Sequence, residues 1–155
     1  MLLNNTLTSE VAPDACFALL LDLPLFGGCV PGGRVDPAGP DGAHAVHLTI
    51  RLGPMRFEYT GRAAITSRDA VARSAQIQVD MATSAGGERA RATSLLRVSP
   101  RGDGSLIEIA TDVSLQGRAA SFGQGLVGDV ARRLVDGAAG CVEAKLRTGT
   151  AAPLR

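Results

Sequence analysis

The feature that most constrains this chain is a change of hydrophobic period near its end. From Val46 to Leu115 apolar residues fall on alternate positions, and after Gly117 they recur every three or four. Val46, Leu48, Ile50 and Leu52 share one side, with His47, Thr49 and Arg51 on the other, and Gly53-Pro54 supplies a turn. Met55, Phe57, Tyr59, Gly61, Ala63 and Ile65 then share a side, followed by Val71, Arg73, Ala75, Ile77, Val79 and Met81. Gly86-Gly87 starts a strand from Glu88 to Ser99, Arg101–Gly104 turns the chain, and Ile107, Ile109, Thr111, Val113 and Leu115 alternate again. Alternation over consecutive segments predicts an antiparallel sheet with one dry and one wet face.

The last segment cannot belong to that sheet. Phe122, Leu126, Val130, Leu134, Ala138, Cys141 or Val142, and Leu146 form a helical stripe, with Asp129, Arg132, Arg133 and Asp136 opposite. This predicts a helix of about seven turns, roughly 38 Å long. Gly123, Gly125, Gly128, Gly137 and Gly140 each weaken it by about 1 kcal/mol relative to Ala, so it needs a surface to lie on. The dry face of the sheet is the large candidate. Upstream, residues 2–9 suit a first strand. Pro13-Asp14 opens a short helix to Leu21, Leu23-Pro24 interrupts it, and Leu25–Val30 suits a second, ended by Pro31-Gly32-Gly33. A Pro- and Gly-rich hairpin follows at 36–42. The expected fold is α+β: a curved antiparallel sheet of about seven strands around a long C-terminal helix. One domain over 1–147 and a flexible tail or the start of a linker over 148–155 are expected.

A chain of 155 residues suits a single core, and 45% hydrophobic against 20% charged composition argues for folding over disorder. A net charge of +1 and the absence of basic runs interleaved with aromatics argue against nucleic acid. The charge is uneven: residues 51–101 hold nine arginines and four acids, which GC-rich codon usage explains in a chain with one Lys, the alternative being a docking face for an acidic partner or anionic lipid heads. The cysteines Cys16, Cys29 and Cys141 are odd in number and far apart, and His44 and His47 are the only histidines. Neither a zinc site nor a disulfide framework is expected, and the thiols are expected to be reduced. No signal peptide is read at the N-terminus. Ala15–Leu21, bounded by Asp14 and Asp22, is too short to span a bilayer.

The dry face is short of bulk. The strand from Glu88 turns Ala90, Ala92 and Ser94 to one side, Gly61 and Ala63 share the inward side, and the chain has no Trp, one Tyr and four Phe. A concave sheet closed by a helix with so little filler leaves an apolar cavity. Its expected lining is Leu25, Phe26 and Val30 from the second helix, then Leu48 and Ile50, then Met55, Phe57 and Tyr59. Ile77, Val79 and Met81, Ala92, and Ile109 and Val113 continue it along the later strands, and Phe122, Leu126 and Val130 close it from the helix. Tyr59 offers a hydrogen bond to a polar head such as a quinone carbonyl, or to a neighbour in the core. Arg73 is the clearest ionisable inward residue, and a guanidinium is a poor proton shuttle. Cys29, near the pocket mouth, reads as packed core rather than as an unassisted nucleophile. No catalytic or metal residues are assigned.

Three stretches carry a family resemblance. Cys29-Val30-Pro31-Gly32-Gly33 looks like a Cys-(Ile/Leu/Val)-Pro-Gly-Ala element. Leu52-Gly53-Pro54-Met55 with Phe57 and Gly61 looks like a Leu-Gly-Pro-(Ile/Met) strand pair with its following Phe and Gly. Val113 and Gly117-Arg118-Ala119-Ala120-Ser121-Phe122-Gly123 resemble a Val-x-Gly-Lys-x-Ala-x-Phe-Gly helix entry. In this order across 7–147 they resemble the carbon monoxide dehydrogenase G-subunit (CoxG) family of the START-like, Bet v 1-like superfamily. The resemblance implies a helix-grip fold with a deep hydrophobic pocket. It also implies an accessory role beside a molybdenum-containing carbon monoxide dehydrogenase, including its attachment to the cytoplasmic membrane. The expectation is a non-enzymatic carrier of menaquinone or a similar prenylated quinone, cytoplasmic and peripheral at the inner face of the membrane, with membrane lipid as a further partner. An assembly scaffold without a ligand and a polyketide cyclase-like enzyme are the alternatives. Members of the family often continue into a membrane-binding helix, and Thr150–Arg155 has the character of a linker.

Overall fold

The computed structural model describes residues 1–151, and the period change falls where the sheet ends and the long helix begins. Strand β1 (Leu2–Ser9) leads to helix α1 (Pro13–Leu20) and helix α2 (Leu23–Gly27). Strands β2 (Gly33–Ala38), β3 (His44–Leu52), β4 (Met55–Asp69), β5 (Ser74–Ala82), β6 (Arg89–Arg101) and β7 (Gly104–Gln116) follow without interruption. A 3-10 turn (Arg118–Phe122) then enters helix α3 (Gly123–Ala151). The tail expected from Thr148 falls partly inside α3, and residues 152–155 lie outside the described residues.

The strands form one antiparallel sheet in the order β1-β7-β6-β5-β4-β3-β2. Consecutive strands pair as hairpins, and β1 closes the far side on β7. A bulge between Ile65 and Ser67 breaks the β4–β5 register and adds local twist to the longest strand. Gly61 permits the close approach of β4 to β5, since a Cβ there would fall inside the backbone of Asp80. The sheet curls, and α3 lies across its concave face: the helix-grip fold.

Local chemistry sets the short helices. Pro13 opens α1, and the Asp22 carboxylate caps α2 by accepting the Leu25 N–H at 3.2 Å. The basic residue expected to point inward from β5 does not. Parity carried that strand back to Val71, but residues 70–73 form a turn in which Val71 is 90% exposed. Arg73 sits at φ 51° and ties α1 to the sheet, donating to the Val98 carbonyl at 3.2 Å and to Asp14 at 3.1 Å.

The cysteine expectation also fails. Cys29, just after α2, and Cys141, on α3, form a disulfide with Cα atoms 5.5 Å apart. Their separation of 112 residues is no obstacle, because α2 packs on α3 and brings the side chains within bridging range. The nucleophile considered for Cys29 is therefore a bonded sulfur. Among the described residues Cys16 is the free thiol; it is fully buried, and burial pushes its pKa up.

Candidate functional site

Two separate clusters of buried side chains lie between sheet and helix. The first joins α1, α2, the Ile107 end of β7 and the later turns of α3 through Cys16, Phe17, Phe26, Val98, Ala138, Val142 and Leu146. The second gathers Phe57, Tyr59, Ala119 and Val130 at the other end of the sheet. The inward positions beside the second cluster are small or half-buried: Ala90 pairs with Met81 and Leu115, which pack against that cluster, and Ala92 beyond pairs with Val79 and Val113. The two cores do not meet across this stretch, and a pocket of about 320 Å³ occupies it, within the range of small-molecule sites.

The sheet supplies the floor: Leu48 and Ile50 from β3, Tyr59 from β4, Met81 from β5, and Ala90 and Ala92 from β6. From β7 come Ile109, Thr111, Val113 and Leu115, with Leu3 and Asn5 of β1 beyond. The helix presents Val127, Val130, Ala131, Leu134 and Val135; Val30 and Ala119 close the ends. Of the residues expected in the site, Val30, Leu48, Ile50, Tyr59, Met81, Ala92, Ile109, Val113 and Val130 line this pocket. Leu25 and Phe26 pack in the first core, and Met55, Phe57, Phe122 and Leu126 in or against the second. Ile77 and Val79 are half-buried on β5 outside the lining. Pattern reading missed Leu3 and Asn5 because Leu2-Leu3-Asn4-Asn5 lacks alternation. From α3 the stripe of Val130 and Leu134 lines the pocket, together with Val127, Ala131 and Val135 beside it, which pattern reading did not include.

Polar groups are few and set apart. Asn5 lines the pocket beside β7. Thr111 pairs its hydroxyl with Ser94 at 2.8 Å. Tyr59, 3% exposed, stacks on Phe57 at 5.9 Å between ring centroids. The Tyr59 hydroxyl and the Asn5 amide make no side-chain hydrogen bond to any described residue. Burial, and then the nearby charge of Glu88, push the Tyr59 pKa up, so the phenol stays a neutral donor. Arg91 is the one charged residue of the lining, and it pairs with Asp80 at 2.7 Å. No carboxylate, imidazole or amine lines the pocket among the described residues. His44 and His47 lie by Asp36 near the β2 edge, and no group of three or more His, Cys, Asp or Glu gathers among the described residues.

The pocket end at Tyr59 is fixed by a buried carboxylate. Glu88, 6% exposed at the start of β6, accepts the N–H of Arg118 at 2.9 Å, the N–H of Ala119 at 3.4 Å and the Arg118 guanidinium at 3.1 Å. Burial alone would raise its pKa, but these donors outweigh it and hold the carboxyl below its ordinary value. Gly117 makes the cap possible: at φ 94° it takes a left-handed turn, and any Cβ there would strike the Glu88 carboxylate. Arg118 then covers Phe57 at 5.7 Å, a cation–π contact.

The family model for the carbon monoxide dehydrogenase G-subunit (CoxG) matches residues 8–147. No curated protein matches the chain. Among solved structures, a conserved protein from Geobacillus kaustophilus superposes with a TM-score of 0.80 at 15% identity, covering 96% of each chain. A START superfamily protein from Mycobacterium smegmatis gives 0.66 at 12% identity, over 95% of this chain and 97% of the other. The Zhui aromatase/cyclase from Streptomyces sp. R1128 gives 0.58 at 13% identity, over 97% and 93%. At these identities the likeness is one of fold.

Proposed function

The chain belongs to the carbon monoxide dehydrogenase G-subunit (CoxG) family, and from that membership we propose that it is a carrier for menaquinone or another prenylated quinone. It links a molybdenum-containing carbon monoxide dehydrogenase to the quinone dissolved in the cytoplasmic membrane and helps recruit the enzyme to the membrane's inner face. A soluble dehydrogenase and a membrane-dissolved quinone have no common phase. A protein with an apolar pocket that visits both supplies one.

The observation that carries this reading is the pocket: an almost wholly apolar lining, with a buried phenol left without a side-chain partner among the described residues. Each methylene taken from water contributes about 0.8 kcal/mol. The pocket measures about 320 Å³, at the small end of small-molecule sites. A polyprenyl tail is longer than that, so the pocket encloses the ring or the first part of the chain, and the remainder leaves through the mouth. Tyr59 donates to a carbonyl of the ring. Among the described residues the lining holds no carboxylate, imidazole or amine to move a proton, which favours carriage over cyclase-like turnover. Among the described residues no helix is long and apolar enough to cross a membrane.

The test is native mass spectrometry and organic extraction of the protein purified from a quinone-producing host. A bound prenylated quinone, lost in Ala92→Trp while the circular dichroism spectrum is kept, is the expected result. A protein that takes up no quinone but binds the dehydrogenase equally with Ala92→Trp in place is a scaffold, and the carrier reading fails.

A further inference from the structure

Beside the pocket, on the outer surface, runs a second groove between α3 and β3. Ile50, Val130 and Leu134 line both it and the pocket, so the groove and the interior share a wall, and Pro31 extends its apolar part. Arg51 borders the groove from β3 and Arg133 from α3. Both are exposed, and neither makes an ion pair or side-chain hydrogen bond to any described residue. Their neighbours are satisfied: Arg132 pairs with Asp129, and Arg56 with Glu58 at 3.2 Å. Arg51 also stands directly opposite Arg56 across the β3–β4 ladder, a like-charge pair that opposes strand pairing. An anion lodged in the groove would meet guanidiniums supplied from two elements, β3 and α3.

We propose that this groove docks the domain on the membrane by taking the phosphate of an anionic phospholipid between Arg51 and Arg133, which brings the wall that groove and pocket share against the leaflet. The choice of a lipid over a free anion follows from the apolar wall, which suits the acyl region behind a phosphate and has nothing to offer a small hydrated ion. Guanidinium matches phosphate in geometry and is weakly hydrated, so it suits a site half in and half out of water. The purpose of the docking rests on the carrier reading; the docking itself does not.

The test is co-sedimentation with vesicles of phosphatidylcholine alone and of phosphatidylcholine with phosphatidylglycerol. The full chain is expected to bind the anionic vesicles, to release them as salt rises, and to ignore the neutral ones. Arg51→Gln with Arg133→Gln should weaken anionic binding about 25-fold, at about fivefold per arginine. Arg89→Gln with Arg97→Gln removes the same charge from the outer face of β6 and should weaken it far less. Ala92→Trp should bind vesicles like the unmodified protein while losing quinone, which separates failure of the docking from failure of the carrier. Equal binding to both vesicle types, an unaffected R51Q/R133Q protein, or an equal loss in R89Q/R97Q would overturn the proposal. So would capture of soluble glycerophosphate without vesicle binding.

Discussion

At the scale of single residues, the pocket depends on two side chains with opposite habits. Tyr59 keeps an unused donor in an apolar place, whereas the Glu88 carboxylate is held by three donors. A hydroxyl that hydrogen-bonds no described residue contributes little to the ligand-free fold, so Tyr59→Phe should leave the urea midpoint nearly unchanged. The same change should weaken binding of a naphthoquinone about threefold to tenfold in a fluorescence-quenching titration, the worth of one hydrogen bond. An unchanged affinity would move the ring elsewhere in the pocket. Glu88 behaves differently because its charge is needed. Its folded pKa lies below the ordinary 4.5, so its contribution is complete above that value and is lost as pH falls through the lower folded pKa. Thermal midpoints should therefore fall as the solution is acidified below 4.5. Glu88→Gln should melt below the unmodified protein at neutral pH and approach it in acid; parallel curves would show that another carboxylate sets the acid limit.

At the scale of elements, α3 is two helices in one. Its later turns bury Ala138, Val142 and Leu146 in a close core and are bonded to the α2 turn through Cys141. Its first turns roof a cavity. Reduction, or Cys141→Ser, removes a cross-link across 112 residues and should lower stability by about 2–4 kcal/mol in denaturant titrations. A loss under about 1 kcal/mol would mean that the α2–α3 packing holds the turn unaided. The helix and the strands were legible in the sequence because period is a local property and each strand pairs with its neighbour. The disulfide was not, since it depends on α2 meeting α3 after folding, and spacing alone says nothing of that. Arg73 was misplaced for a related reason: parity propagates through a turn as readily as through a strand, and only the backbone at φ 51° reveals the break. Strand parity names Leu48, Ile50, Tyr59, Met81, Ala92, Ile109 and Val113, which line the pocket's sheet floor, but also Ile77 and Val79, which do not. It could not say how far around α3 the space reaches, because Phe122 and Leu126 of the apolar stripe pack on the second core while Val130 and Leu134 of the same stripe, with Val127, Ala131 and Val135 beside it, line the cavity.

At the scale of the molecule, the fold has two anchored ends and an unfilled middle. The α1–α2 end is packed and cross-linked; the Tyr59 end is held by the Glu88 cap and the Arg118–Phe57 contact. Between them Ala90 and Ala92 leave room that the native chain does not use for its own packing. A protein built this way forgoes stability that a ligand can restore. At a concentration 100 times its Kd, a ligand that binds only the folded state adds about 2.7 kcal/mol. For a chain of this length that corresponds to a rise in Tm of about 5–10 °C. A short-chain prenylated naphthoquinone should produce that rise in scanning calorimetry, and the size should grow with the logarithm of ligand concentration. Ala92→Trp sets the control, because an indole placed there enters empty space instead of packed side chains. Its ligand-free form should melt no lower than the unmodified protein and should gain nothing from quinone. A variant that melts much lower would mean that the middle is already close-packed, and a quinone effect that survives the indole would mean that the ligand binds outside the space between the two cores.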